Sequence, residues 1–570
     1  MSSVPETAPA RDGAASPKNK SPNQTHAGIV RSAGVVSGAV FLSRITGLVR
    51  EVVFARFFGA GMVYDAFVAA YRIPNLFRDL LAEGALSAAF VTTFSQCLSQ
   101  DGQDKAYRLS NRLASLLVPV ILLICLLGAW FAPAIVDSMF PGYGEVEGKR
   151  DLTVLLTRIM IPFLLFMALA AKAMGVLNTK GRFGIPALAS AFANVTSIVC
   201  GLTLAFVVGP RFDLEPIAGM AIGILLGGLA QYAVQWPSLR RIGLRFRPDF
   251  RYNDPGIRQV LRLMGPAVLG AAAVQVNVVV NSIFASQITD AAGTVVDGPV
   301  SWLGYAFRLM QLPLGLFGVA VASATLPSIS RSAGAGQIDE FRDTLANSLG
   351  LVFLMTIPSA AGLAVLSRSV VGVVYQHGAF TAEDTEQTAV ALSLYCVGLA
   401  GYAAIKVLTP AFYALDDVRV PALTSLASIF INYLLNWTFV RVLGWGHGGL
   451  AFSTSTVAFF NFFVLFWFMR NRIDGIHGRR LVSSITFIGL AAGLMCAACA
   501  TSSFLVHQAF GASFLGRLLD LAVSIPLGAS VLFGACRLFR VSELEVARQA
   551  IRARLARRTT SQTGSSSEAL

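Results

Sequence analysis

The stretch SRITGLVREVVFARFFGAG, residues 43–61, lies in the first long apolar run of the chain, yet it carries four charged side chains: Arg44, Arg50, Glu51 and Arg56. Charge at bilayer depth costs several kcal/mol per group, so it is rare in membrane helices and typical of functional sites. In a helix that begins near residue 32, Arg44 lies about 18 Å and Arg50 about 27 Å along the axis, whereas Arg56 reaches the far interface. The stretch therefore predicts a membrane helix with two deeply placed arginines.

Composition indicates a membrane protein with many spans. The 570 residues are 55% hydrophobic and 13% charged, against about 25% charged in a soluble domain. The formal net charge is +14, but the basic residues gather in short loops and in the C-terminal tail, as the positive-inside rule describes. We find no aromatic-interleaved basic patch of the nucleic-acid-binding type, so we expect no nucleic-acid partner.

Fourteen segments are long enough to cross a bilayer, which takes about 20 mainly apolar residues. The loops alternate between a basic set, which includes the C-terminal tail, and a mainly acidic set in which Lys149, Arg150 and Arg211 are exceptions. This asymmetry predicts that both termini are cytoplasmic. The second and eighth segments are the weakest on hydropathy. The candidate spans are 33–57, 65–97, 112–134, 153–176, 185–208, 215–235, 258–286, 300–330, 343–366, 387–408, 421–440, 447–469, 482–503 and 515–537.

An internal repeat divides these spans. GIPALAS at 184–190 and RVPALTS at 419–425 lie 235 residues apart, and Phe94-Ser95 matches Ile329-Ser330 at the same offset. Six spans separate the copies, which makes the repeat parallel, with a pseudo-two-fold axis along the membrane normal. We predict an all-α polytopic membrane protein with 14 transmembrane helices, in two six-helix lobes plus two extra C-terminal helices. The predicted regions are a disordered tail (1–32), an N-lobe (33–240), a C-lobe (241–471), the extra helices (472–540) and a cytoplasmic tail (541–570).

Charge inside the spans is concentrated in the first, second and eighth. One interpretation is internal ion pairing, of Arg50 with Glu51 or Glu83 and of Arg78 with Asp79. Arginines from both lobes, among them Arg78 and Arg308, favour instead a central cavity that binds an anion, because the guanidinium fork suits phosphate. Pro74 should kink the second span.

Other polar groups are less specific. Of the seven cysteines, Cys496 and Cys499 lie one helical turn apart, which favours helix packing over a redox or metal role. Four asparagines, spaced i, i+4 in spans 7 and 11, could join helices or ligate a small cation; without a carboxylate beside them, we favour joining. They are Asn277, Asn281, Asn432 and Asn436. Whether any metal binds is left unknown.

Several stretches of the sequence, the opening one among them, resemble the MurJ (MviN) lipid II flippases of the MOP exporter superfamily. The likeness lies in 43–61, in DAFVAAYRIPNLFRDLLAEGALSAAFV, GVLNTKGRFGIPALA, GPAVLG, FRLMQLPLGLFGVA and VLTPAFYALDDVRVPA, and it covers about residues 30–540. The resemblance implies a flippase, not an enzyme, that moves lipid II (undecaprenyl-pyrophosphate-MurNAc-pentapeptide-GlcNAc) from the inner to the outer leaflet by alternating access. It also implies that spans 13 and 14 form a groove for the lipid tail.

The same resemblance implies the site residues. Substrate would be bound by Arg44, Arg50, Arg78 and Arg308, whereas gating and arginine orientation would fall to Ser43, Glu51, Asp65, Asn75 and Glu83. We expect no cofactor, and either a coupling ion or the membrane potential as the energy source. Membrane lipids and the cell-wall synthesis machinery are further candidate partners, and the expected location is the bacterial cytoplasmic (inner) membrane. The alternative is an exporter of the same fold for another lipid-linked oligosaccharide or a drug.

Overall fold

The computed structural model describes residues 22–80 and 86–545 and is built almost entirely from α-helices. We call residues 22–241 the N-terminal half, residues 255–472 the C-terminal half, and the last two helices the C-terminal pair. The N-terminal half contains α1 (Pro22–Phe58), α2 (Met62–Phe77), α3 (Ser87–Gln100), α4 (Gln103–Trp130), α5 (Ala132–Met139), α6 (Lys149–Met160), α7 (Phe163–Thr179), α8 (Gly184–Thr203), α9 (Pro216–Ala233) and α10 (Trp236–Arg241).

The C-terminal half repeats this order of helices. It contains α11 (Pro255–Ser286), α12 (Pro299–Pro313), α13 (Val319–Gly334), α14 (Ile338–Val365), α15 (Ser367–Tyr375), α16 (Ala382–Val397), α17 (Leu399–Ala414), α18 (Arg419–Asn436) and α19 (Gly446–Arg472). The C-terminal pair is α20 (Gly478–Phe510) and α21 (Phe514–Leu538).

Helix boundaries recur at the 235-residue offset found in the sequence. The helices α4 and α14 begin and end at positions 235 residues apart. The first residues of α5 and α15, and those of α8 and α18, are also 235 residues apart. Irregular segments recur as well: α8 and α18 each continue into a π-helical segment, Leu204–Val208 and Trp437–Val442. The structure thus extends the repeat well beyond the two short sequence matches.

The second predicted span has an irregular segment just after α2, a helix that runs through Pro74. The helix α2 ends at Phe77, and residues 78–80 form a π-helical turn. At the equivalent place in the C-terminal half, α12 passes into a π-helical segment at Leu314–Gly318. Such segments are frequent at functional sites because they re-aim side chains.

Ten helices in the described residues are long and apolar enough to cross a membrane, or eleven if α16 and α17, which meet at 44°, form one span. They correspond to candidates 3–6 and 8–14. The eighth candidate, expected to be weak, passes this test at Pro299–Gly334, whereas the first, second and seventh do not. The protein is therefore an all-helical, multi-pass membrane protein, and the count of fourteen remains a prediction.

The ends of the chain differ from the predicted boundaries. The first helix begins at Pro22, inside the predicted 1–32 tail. At the other end, Val541 and Glu543 are buried in the protein although both belong to the predicted 541–570 tail. Residues 1–21 and 546–570 lie outside the described part.

The C-terminal pair is fastened to the C-terminal half by a buried carboxylate near each end. Asp520 of α21 accepts hydrogen bonds from Ser369 of α15 and from Ser503 of α20. Glu543 accepts one from Ser484 at 2.7 Å and lies against Gly350 of α14. Serine hydroxyls thus satisfy two carboxylates that would otherwise be costly to bury.

Candidate functional site

Glu51 joins the two halves of the protein at the centre of the charged region. One of its carboxylate oxygens accepts from Arg50 of the same helix at 3.0 Å and from Arg308 of α12 at 2.8 Å. The other accepts from the hydroxyl of Tyr64 at 2.9 Å. The side chains of Arg50 and Glu51 are 11% and 9% exposed, whereas that of Arg308 is 44% exposed. Two arginines share one carboxylate, so the trio carries a net positive charge.

Arg50 is held in place by a residue of α8 that the sequence interpretation missed. Its Nη1 donates to Asn194 Oδ1 at 3.2 Å, and the Asn194 amide donates in turn to the Ser43 carbonyl and to Thr46. The Arg50 guanidinium also lies 5.8 Å from the Tyr71 ring centre. A lone asparagine in an apolar helix was the available signal.

A small cavity of about 60 Å³ adjoins the trio. Pockets that hold small molecules measure about 300–1,000 Å³, so this cavity is far smaller than a sugar-peptide head group needs. Its polar lining is Arg50, Glu51, Tyr64, Tyr71 and Arg308, and its apolar lining includes Phe54, Phe67 and Ile224. The halves must separate before a large ligand can reach these arginines.

The other two predicted arginines flank this centre. A Cβ built on Gly315, in the π-helical segment after α12, would lie 1.9 Å from Nη1 of Arg44, so the glycine makes room for the guanidinium at the boundary between the halves. Arg78 bonds to Asp79 at 2.8 Å and acts electrostatically on Tyr71, as Arg50 and Arg308 also do. The pairings of Arg50 with Glu51 and of Arg78 with Asp79 are confirmed.

Asp65 lies in a separate, deeply buried network. Its carboxylate accepts from Lys149 Nζ at 3.0 Å, from the backbone of Gly298 and from both the backbone and the hydroxyl of Ser301. Lys149 also donates to Asp297 at 2.6 Å. Asp65 thus locks α2 to α12 instead of orienting the Arg50–Glu51–Arg308 trio.

Lys149 was not among the predicted site residues, although a signal existed. It is fully buried, and it was one of the few basic residues in an otherwise acidic set of loops. Such an exception to the positive-inside pattern marks a residue with a structural partner.

The remaining predicted residues take minor positions. Ser43 contributes its carbonyl to Thr46 and Asn194. The amide oxygen of Asn75 is buried without a hydrogen-bond partner among the described residues. Glu83 falls outside the described residues. In the described ranges, 22–80 and 86–545, no three His, Cys, Asp or Glu side chains are grouped as metal ligands would be.

Comparison with known proteins identifies the family. The family model described as lipid II flippase MurJ matches residues 54–519. The chain belongs to the MurJ lipid II flippase family.

Its relatives agree over most of their length. A probable lipid II flippase MurJ of Vibrio cholerae is 35% identical over 445 residues, 77% of this chain and 82% of the relative. The lipid II flippase MurJ of Burkholderia cenocepacia is 34% identical over 448 residues, 78% of this chain and 84% of the relative. Membership in the MurJ family makes the protein a transporter, a lipid II flippase, and not an enzyme.

Solved structures support the fold. A lipid II flippase MurJ in an inward closed conformation superposes with a TM-score of 0.71 at 26% identity, covering 88% of this chain and 98% of the other. An inward-facing multidrug resistance MATE transporter of the MOP superfamily gives a TM-score of 0.62 at 14% identity, covering 78% and 99%. The second likeness shows a shared fold alone.

Apart from the site around Arg50, Glu51 and Arg308, this MurJ-family protein has an open apolar groove between α20 and α21. Its volume is about 550 Å³. Its lining combines Ala497, Ala498, Leu505, Val506, Val523 and Leu527 with the hydroxyls of Thr501 and Ser502. A groove of this composition suits an alkyl or prenyl chain better than a polar head group.

Proposed function

We propose that this flippase carries the diphosphate and sugar-peptide head of lipid II between its two halves, with Arg44, Arg50, Arg78 and Arg308 as the binding residues. The observation that carries the proposal is the shared carboxylate of Glu51, which bridges Arg50 of one half and Arg308 of the other. Two oxygens of a phosphate group, like the two oxygens of a carboxylate, can accept a pair of parallel hydrogen bonds from one guanidinium. Substrate can therefore replace Glu51 as the partner of Arg308.

This exchange gives a route to alternating access. With the cavity closed at about 60 Å³, Glu51 neutralises part of the charge of the two arginines. When the halves separate on the cytoplasmic side, the arginines lose this bridge and gain the diphosphate. Closure on that side, with release of the Asp65 lock on the other, would then expose the head group to the outer leaflet. Such rocking of two repeats around a central site is the general behaviour of this class.

The lipid tail need not enter the arginine centre. We propose that regions 33–240 and 241–471 act as the two lobes of a 14-span protein, and that region 472–540 provides the tail groove between α20 and α21. The prenyl chain stays in this apolar groove while the head crosses, so that little hydrocarbon is exposed to water.

We propose further that the protein lies in the bacterial cytoplasmic membrane with both termini in the cytoplasm. A membrane potential negative inside then favours outward movement of an anionic head group by about 2.3 kcal/mol per charge per 100 mV. The asparagine cluster of the C-terminal half offers no carboxylate, which favours the membrane potential over a sodium site there as the energy source.

The test uses Arg50→Gln and Arg308→Gln variants as the sole chromosomal copy. We expect each to block growth and to leave lipid II inaccessible to a reagent at the outer leaflet, at wild-type protein abundance. The matched control is Arg331→Gln, an exposed arginine of α13 that bonds to a backbone carbonyl of its own helix. If both cavity variants supported normal peptidoglycan synthesis, the site assignment would be wrong.

A further inference from the structure

The linker between the halves, residues 242–254 (IGLRFRPDFRYND), carries a surface that the transport mechanism does not use. It has no helix and connects α10 to α11. Its exposed side chains are the arginines Arg245, Arg247 and Arg251 and the aromatic residues Phe246 (57% exposed), Phe250 (65%) and Tyr252 (40%). The expectation that no basic segment is interleaved with aromatic residues is therefore wrong for this linker.

The linker backbone is held in a defined position by hydrogen bonds to α4. Tyr107 donates to the carbonyl of Ile242 at 2.6 Å, and Asn111 donates to the carbonyl of Arg245 at 3.1 Å. Further along, the backbone N–H of Asp249 donates to Ser115 at 3.0 Å. With the backbone turned toward α4, the arginine and aromatic side chains are left to face outward.

The two acids of the linker are largely neutralised from within. Arg112 of α4 donates to Asp249 at 2.9 Å and also bonds to Asp254. This bond holds the pKa of Asp249 below its usual range, so the carboxylate stays ionised and engaged. Arg251 lies 3.6 Å from Asp249 but is 84% exposed. The outward face of the linker is therefore strongly basic.

The order of the side chains along α4 matches the layers of a membrane surface. The helix is polar at its start and becomes apolar from Leu113 onward. The linker meets it first at Tyr107 and later at Ser115, which accepts from the Tyr252 hydroxyl. Eight helical residues correspond to a rise of about 12 Å. The Phe250–Tyr252 end of the linker thus lies farther along α4, toward its apolar part, than the Ile242–Arg245 end.

This layering is typical of lipid contact. Aromatic rings concentrate at the boundary between head groups and hydrocarbon, and basic side chains interact with anionic lipid phosphates just outside it. The face continues onto α10, where the exposed Arg240 lies 4.5 Å from the Trp236 ring centre. The basic charge of the linker and the position of its aromatic rings along α4 therefore fit an anionic diacyl phospholipid.

We propose that the linker is a docking surface for anionic phospholipids, with the arginines on the phosphate and Phe250 and Tyr252, at the end nearer the apolar part of α4, at the upper acyl chains. Because the linker is the covalent connection between the two halves, a bound lipid would fix one side of the joint about which they rock.

The experiment measures phospholipid retention by the full-length protein in detergent, with native mass spectrometry and equal amounts of phosphatidylglycerol and phosphatidylcholine. The wild type should prefer phosphatidylglycerol. In an Arg245→Gln/Arg247→Gln/Arg251→Gln variant that preference should fall by at least tenfold, since each surface arginine contributes about fivefold. A Phe250→Ala variant should weaken the retention of both lipids alike.

The matched control is Arg479→Gln/Arg480→Gln, which removes two exposed arginines at the start of α20 and should leave the preference unchanged. A second measurement needs no variant: high salt should reduce phosphatidylglycerol retention by the wild type and spare phosphatidylcholine, because exposed charges are screened. The proposal fails if the triple variant keeps the wild-type preference, if the control loses as much, or if salt has no effect. It also fails if the linker arginines prefer a single-stranded oligonucleotide to phosphatidylglycerol.

Discussion

The two halves share one set of helix boundaries, yet they hold their polar side chains in different chemical forms. The N-terminal half is ionic, with Arg50 and Glu51 at the centre and Asp65 with Lys149 nearer the far end of α1. The C-terminal half is mostly neutral at its core: Asn281 accepts from Asn432 at 2.9 Å and from Asn436 at 2.7 Å. Duplication therefore fixes where the helices run but not what they bind.

The contrast follows from the free energy of burying charged side chains compared with neutral polar ones. A buried charge must find a partner or a ligand, so an ionic half can change its partners when the halves move. Amides and hydroxyls satisfy one another at lower cost and hold helices together. We infer that the N-terminal half grips the substrate while the C-terminal half supplies Arg308 and a rigid frame.

The largest expected effect is the loss of the buried ion pair in the ionic half. Asp65→Ala leaves the buried Lys149 with Asp297 as its remaining carboxylate and takes the acceptor from Gly298 and Ser301, and we expect it to lower the free energy of unfolding by about 3 kcal/mol, the low end for breaking a buried pair. Denaturant unfolding in detergent measures this value. The double variant Asp65→Leu/Lys149→Met, which removes both charges, should recover most of the loss. If Asp65→Ala were as stable as the wild type, the buried ion pair would not stabilise the N-terminal half as described.

A smaller effect is expected in the neutral half. Asn281→Ala leaves the amides of Asn432 and Asn436 without their shared acceptor, which should cost about 1–3 kcal/mol of unfolding free energy. The same unfolding measurement applies, with Thr438→Ala as control, a half-buried residue of the following π-helical segment whose hydroxyl bonds to the Leu434 carbonyl. If Asn281→Ala cost as much as Asp65→Ala, the two halves would not differ as described.

The boundary between the halves can be tested without removing a charge. Gly315→Ala places a methyl group where the Arg44 guanidinium lies, and the flexible end of the arginine must move. We expect roughly tenfold slower flipping, equivalent to about 1.4 kcal/mol, with little change in stability. A lipid II accessibility assay checks the rate. Gly334→Ala, which has no atom within 4 Å of its added Cβ, is the control and should behave as wild type.

The smallest effect is expected at the linker between the halves. Because Arg112 lowers the pKa of Asp249, the stabilisation from this pair is complete above the unfolded value of 3.8 and is lost as pH falls through the lower folded value. Hydrogen exchange of residues 243–253, corrected for intrinsic rates, should therefore stay constant from about pH 7 to 5 and rise only below about pH 4. An Asp249→Asn variant should lose this transition. A change already at pH 6 would point to another group.

Much of this architecture was predictable because it follows from strong local signals. Apolar segments longer than about 20 residues predict spans, and matches at 184–190 and 419–425 predict the repeat that the helix boundaries display. The π-helical segments had no comparable signal, since they depend on how neighbouring helices pack.

The charged residues of the site could be predicted from the sequence, whereas the residues that hydrogen-bond to them could not. Arginines and Glu51 are conspicuous in an apolar helix, and the structure brings Arg50, Glu51 and Arg308 together. Asn194 and Tyr64 were missed because their importance arises only from tertiary contact. Asp65 was grouped with the arginines on the strength of the family resemblance, whereas its carboxylate lies with Lys149.

The burial of Glu543 has a practical consequence for handling the protein. Residues just after α21 look like the start of a dispensable tail, yet Val541 and Glu543 fill a recess formed with Ser484 and Gly350. A truncation at Leu538 would uncover this recess and loosen the groove helices at the end where α20 begins and α21 ends. Affinity tags and fluorescent fusions placed after Glu545 would leave the seal intact.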